Sequence, residues 1–195
     1  LARRALAARW ALLVTALALV AGCSGGGGAD DDDGASLGAT APPTPVTAPP
    51  VPAPSPAGTG VVVIGGSASS FAITGCQLAA DPAEPEGAQT LLLVTGSGST
   101  AGGGGFAVEI KRFATGAGVQ TFTDTIAYTD TARILQAQRI EVGGQVQDLR
   151  DPDAVSSMIR LREDGLSASG LAGPPGEGAD ADGTVGFAID ATCAG

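Results

Sequence analysis

Thr184-Val185-Gly186-Phe187-Ala188-Ile189-Asp190-Ala191-Thr192-Cys193, near the C-terminus, is the clearest strand in the chain. Val185, Phe187, Ile189, Ala191 and Cys193 occupy every second position, so in an extended backbone they share one face and bury Cys193 with the core. The same period recurs upstream, where Phe106, Val108 and Ile110 alternate with Ala107, Glu109 and Lys111. Val61-Val62-Val63-Ile64, Phe71-Ala72-Ile73-Thr74 and Leu91-Leu92-Leu93-Val94 read as short buried strands. Further strands are expected over 121–128, 132–142, 145–149, 157–163 and 166–171. Gly143-Gly144 and Asp164-Gly165 separate apolar runs and tolerate the positive φ angles of two-residue hairpins. Helical periodicity is weak after the first residues, with at most one turn over Asp153–Met158. The pattern predicts an all-β domain over 61–195, an antiparallel sandwich or partly open barrel.

The front of the chain is of a different kind. Arg3, Arg4 and Arg9 precede an apolar run from Trp10 to Val20, which ends in Val20-Ala21-Gly22-Cys23. Eleven residues suit the apolar centre of a signal peptide and fall short of the roughly 20 that span a bilayer. The small residues Ala21 and Gly22 let a peptidase close on the backbone between Gly22 and Cys23. Residues 1–22 are therefore expected to be a signal peptide, and the Cys23 thiol the group that receives lipid.

Residues 23–60 read as a disordered tether. Gly25–Gly28 is loose coil, Asp30–Asp33 is a block of repelling charge, and Pro42–Pro56 holds eight of the thirteen prolines. In polyproline II, at about 3.1 Å per residue, the proline part alone reaches roughly 45 Å.

Charge and composition exclude much. The leader takes three of the ten basic residues and none of the acidic ones, leaving 7 − 20 = −13. Such a surface repels nucleic acid, and no nucleic-acid partner is expected. The chain has no histidine, which removes the usual general base, nucleophile activation and zinc set. Neither Gly-x-Ser-x-Gly nor Ser-x-x-Lys occurs. Gly96-Ser97-Gly98-Ser99-Thr100-Ala101 imitates a dinucleotide-binding turn, but Gly102–Gly105 would break the helix that must follow. A flexible hairpin loop is expected there, and no cofactor.

Two acidic clusters carry oxygen ligands at calcium-like spacing: Glu177, Asp180 and Asp182-Gly183, and Asp148, Asp151 and Asp153. Neither ends in the bidentate acid of the long calcium loop, so solvated loops without metal are expected. Asp124 shares the parity of Phe122, Ile126 and Tyr128. It is expected at an edge facing water, or else paired with Arg133 or Arg139.

With Cys23 assigned to lipid, Cys76 and Cys193 remain as an even pair. In an exported chain two cysteines most often form a disulfide, with two buried free thiols as the alternative. Cys76 lies off the parity of Phe71 and Ile73 unless Gly75 makes a bulge.

At both ends of the domain the sequence resembles the mycobacterial LpqH-type lipoprotein antigens. The residues that carry the resemblance are the 20–23 motif with its tether, Val61-Val62-Val63-Ile64-Gly65 and Phe71-Ala72-Ile73-Thr74-Gly75-Cys76. Toward the C-terminus they are Leu166-Ser167-Ala168-Ser169-Gly170-Leu171-Ala172-Gly173 and Phe187-Ala188-Ile189-Asp190-Ala191-Thr192-Cys193. Residues 96–160 depart from it. The resemblance implies a small β-rich surface domain, a Cys76–Cys193 disulfide, exposure to host receptors and no enzyme activity.

The expectation is thus a non-enzymatic protein of the bacterial cell envelope, anchored through acylated Cys23 to the lipid of the plasma or outer membrane, its domain facing outward or periplasmic. Its partners beyond lipid would be another envelope protein or a host receptor. A carrier whose Gly- and Ala-rich core encloses an apolar ligand is the alternative, and an envelope enzyme working with carboxylates a more distant one.

Overall fold

The structure is a computed structural model that describes residues 45–84, 87–116, 119–148, 150–176 and 182–195. Among the described residues ten strands form, each over one of the expected stretches, although 61–64, 71–74 and 91–94 alternate between buried and more exposed positions and are not buried throughout. They are β1 (Thr59–Ile64), β2 (Ser67–Gln77), β3 (Ala88–Ser99), β4 (Gly105–Thr115) and β5 (Thr121–Asp130). After them come β6 (Ile134–Val142), β7 (Gln145–Asp148), β8 (Ile159–Leu161), β9 (Gly165–Ala172) and β10 (Val185–Thr192). Residues 153–158 make bends and turns rather than a helical turn.

All ten join one antiparallel sheet in the order β7-β6-β5-β4-β3-β2-β1-β10-β9-β8. β1 to β7 run up and down through successive hairpins, and β10 returns to pair with β1. The sheet curls on itself, and Gln136 of β6 and Gly173 beyond β9 exchange backbone hydrogen bonds of 2.7 and 3.1 Å. The result is a partly closed barrel, with its core on the inner face.

That core uses every second residue of each strand: Val62 and Ile64, Leu92 and Val94, Val108 and Ile110, Phe187 and Ile189. Aromatic rings fill the rest by lying across glycines. A Cβ on Gly60 or Gly96 would stand 2.2 or 2.4 Å from the Phe71 ring, and one on Gly98 2.8 Å from the Phe106 ring. Gly96 to Ser99 therefore belong to β3, not to a flexible loop; the turn itself is Thr100–Gly104, closed by Thr100 N–H to Gly104 O at 2.8 Å.

The hairpin glycines divide in two. Gly143 and Gly144 turn β6 into β7 at φ 58° and 80°, and Gly65-Gly66 does the same between β1 and β2 at 56° and 84°. Gly165 has a different reason. It already lies in β9, and a Cβ there would meet Ala191 O at 2.0 Å, so close backbone approach selects the glycine. The β2–β3 register shifts between Ile73 and Gly75, the irregularity that carries Cys76 out of step with Phe71.

The proline-rich end of the expected tether is docked where it is described. Thr47 and Pro49 lie over Gly186, where a Cβ would meet Thr47 O at 2.2 Å and Pro49 Cδ at 2.8 Å. Ser55 is buried and donates its N–H to Asp190 Oδ1 at 2.8 Å. β10 is consequently buried on both faces from Gly186 to Thr192. The physical reason lies on its outward side, where small Gly186 and Ala188 leave room and Asp190 needs donors.

Candidate functional site

The inner face changes character between β4 and β7. Strand register sets Arg112 of β4 opposite Asp124 of β5, Asp124 opposite Arg139 of β6, and Arg139 opposite Asp148 of β7. Charges of alternating sign thus cross four strands on one face. Arg112 holds Asp124 in a bidentate pair, Nε to Oδ1 at 2.7 Å and Nη2 to Oδ2 at 2.9 Å. Arg139 Nε reaches Asp148 Oδ2 at 2.9 Å. The hydrogen bond from Asp124 raises the Arg112 pKa above its ordinary value, against burial, with the charges of Asp124 and Glu141 adding to it.

The segment before β8 closes over this ladder. Ser157 Oγ donates to Asp124 Oδ2 at 2.6 Å, and Arg112 Nη2 reaches Ile159 O at 3.3 Å. Arg139 Nη1 donates to Ser156 O. Asp148 Oδ1 accepts the N–H groups of Arg150 and Asp151 at 2.8 and 3.1 Å. Buried charge is tolerated because each carboxylate meets a cation and further donors. With its oxygens so committed, this arrangement fixes a loop and offers no free base or ligand oxygen.

A second feature is a cleft of about 350 Å³ at one mouth of the barrel, lined by Ser67, Ser69, Thr100, Tyr128, Asp130 and Arg133. Asp130 Oδ1 accepts the N–H groups of Ala132 at 2.8 Å and Arg133 at 2.9 Å. The Ala132 N–H above all holds its carboxyl below the usual range against the opposing effect of burial, and the Arg133 N–H, the Tyr128 hydroxyl and the Arg133 charge add to it. Tyr128 is stacked on Phe106 with ring centroids 5.4 Å apart. Burial, then the hydrogen bond to Asp130, push its phenol above 10.

At the other mouth Cys76 and Cys193 stand at disulfide distance, bonded with Cα atoms 6.1 Å apart across 117 residues of sequence. Cys193 packs partly buried against the core. The bond ties β2 to the residue after β10.

The remaining expected positions are scattered or corrected. Gly22, Cys23, Glu177 and Asp180 lie outside the described residues, and Asp182 is exposed. Among the described residues no group of three or more His, Cys, Asp or Glu is placed to hold a metal ion. Asp148 and Asp151 both face Arg139, at 2.9 and 3.9 Å, while Asp153 is exposed. Asp124 is not at a water-facing edge; it is buried, and its partner is neither Arg133, which pairs with Asp130 at 3.6 Å, nor Arg139. The reason is register: Arg112 projects from the neighbouring strand at the same level. Arg112 had a signal in the sequence, since it continues the inward parity of Phe106, Val108 and Ile110. Ser157 had none.

Comparison of the chain with protein-family models, with curated proteins and with solved structures finds no match in any of the three. What the chain defines is an all-β, disulfide-tied, partly closed barrel.

Proposed function

We propose that the protein is a non-enzymatic lipoprotein of the bacterial cell envelope that displays this β domain for binding or presentation at the cell surface, in the manner of the LpqH-type antigens it resembles. Val20-Ala21-Gly22-Cys23 behind a charged and apolar leader carries the reading, because a small-small-cysteine end is what signal cleavage and thiol acylation require. Cys23 receives the lipid and holds the chain to the plasma or outer membrane. The pairing of Cys76 with Cys193 supports export to an oxidising compartment. The partner is another envelope protein or a host receptor.

Metabolic labelling with a clickable fatty acid tests the anchor. The full chain should take up label and Cys23→Ser should not. Wild-type chain that carries no label removes the reading.

A further inference from the structure

β1 begins at Thr59, opposite Thr192, at the mouth that also holds the Cys76–Cys193 bond and the Gly143-Gly144 hairpin. An undocked tether would leave the domain from this mouth. The proline-rich segment takes another course. Ser55 is bonded to Asp190, near the end of β10, while Thr47 lies over Gly186, near its start. Gly186 O accepts the N–H of Gly65 at 2.9 Å, so Thr47 reaches the mouth formed by the Gly65-Gly66 turn. Residues 47–55 therefore run along the outside of β10, and the chain reverses at Pro56–Gly58 to enter β1.

The face beneath is suited to this kind of ligand. Gly186 and Ala188 present no bulk outward, and Asp190 is held by Arg162, Nη1 to Oδ2 at 2.5 Å, with Oδ1 directed at the buried Ser55 N–H. Proline supplies no N–H, and with four prolines among Thr47 to Ser55 the segment crosses the sheet face with five backbone donors rather than nine.

We infer that the outer face of β10 is a binding site for a proline-rich segment, and that residues 47–55 fill it, so that the upstream chain leaves the domain at the Gly65-Gly66 mouth rather than the disulfide mouth. The shift runs from the level of Thr192, opposite Thr59, to that of Gly186, roughly 20 Å at about 3.3 Å per residue. The inference concerns docking alone and holds with or without acylation at Cys23.

A spin label tests it. The full chain carrying Cys23→Ser and Val46→Cys has one free thiol when Cys76 and Cys193 are bonded, and Val46 is exposed. With a nitroxide there, in detergent micelles, amide signals of Gly65, Gly66 and Val185 should be lost and regained on reduction of the label. Those of Gly143 and Gly144 should persist. Adding Gly186→Leu should restore the Gly65 and Gly66 signals. Pro49→Asp should do the same, which guards against a folding defect because it leaves the barrel's own residues unchanged. Unbroadened Gly65 and Gly66, equal broadening at both mouths, or broadening that survives Pro49→Asp would overturn the inference.

Discussion

Replacing Asp124 with alanine is the sharpest perturbation of the charged ladder. The carboxylate is 4% exposed and accepts hydrogen bonds from Arg112 Nε, Arg112 Nη2 and Ser157 Oγ. Its removal leaves the guanidinium of Arg112 facing that of Arg139 across β5 with no anion between them. Breaking a buried pair from one side costs about 3–5 kcal/mol. The Arg112 side chain keeps 18% exposure, so water recovers part of the loss and the lower figure, about 3 kcal/mol, applies. With a urea slope of about 2 kcal/mol/M, the midpoint should fall by about 1.5 M at unchanged slope. Far-UV circular dichroism of the full chain measures it. Arg112→Met in the same background should regain at least half of the loss, because no uncompensated charge then remains. A shift below about 0.5 M, or no recovery in the double variant, would refute the argument that the ladder is dry and held by charge pairing.

Two further outcomes are expected. Tyr128 is the sole tyrosine, so absorbance at 295 nm reports it alone, and its folded-state pKa should lie above 10. A raised phenol pKa gives stability that is full below the unfolded value near 10 and lost as pH rises through the folded value; Asp130→Asn should lower the midpoint, and folded protein titrating at or below 10 contradicts the burial. Cys76→Ser opens a loop of 117 residues and should cost about 2–5 kcal/mol, seen as a lower urea midpoint matching that of the wild type under reductant. Equal midpoints with and without reductant would show that the bond constrains nothing.

How much of this was legible depended on range. The ten strands could be read because alternation is local: Phe106, Val108 and Ile110 announce their face without reference to any partner. Gly143-Gly144 could be read for the same reason. The charged ladder could not, because Arg112, Asp124, Arg139 and Asp148 become neighbours only once three registers are set. Asp124 alone, with the known rarity of buried aspartate, pointed to water. Gly165 was assigned to a turn because close approach to Ala191 is a tertiary fact. The docked segment 47–55 was missed for a related reason. Polyproline composition reads alike whether the chain is free or lies on a sheet, and its partner Asp190 is 135 positions away from Ser55.

The pairing of β1 with β10 also sets an order of events. The strand nearest the N-terminus acquires its second neighbour only when the last strand of the chain is present. Until residues 185–192 have been synthesised, β1 has one open side and the barrel has no seam to close. Contacts of such long sequence separation form slowly, so the sheet stays open on that side until residues 185–192 are in place. The same arrangement makes the C-terminus intolerant of truncation. Loss of the final ten or so residues would expose β1 and β9 as two unpaired edges, ready to pair between molecules.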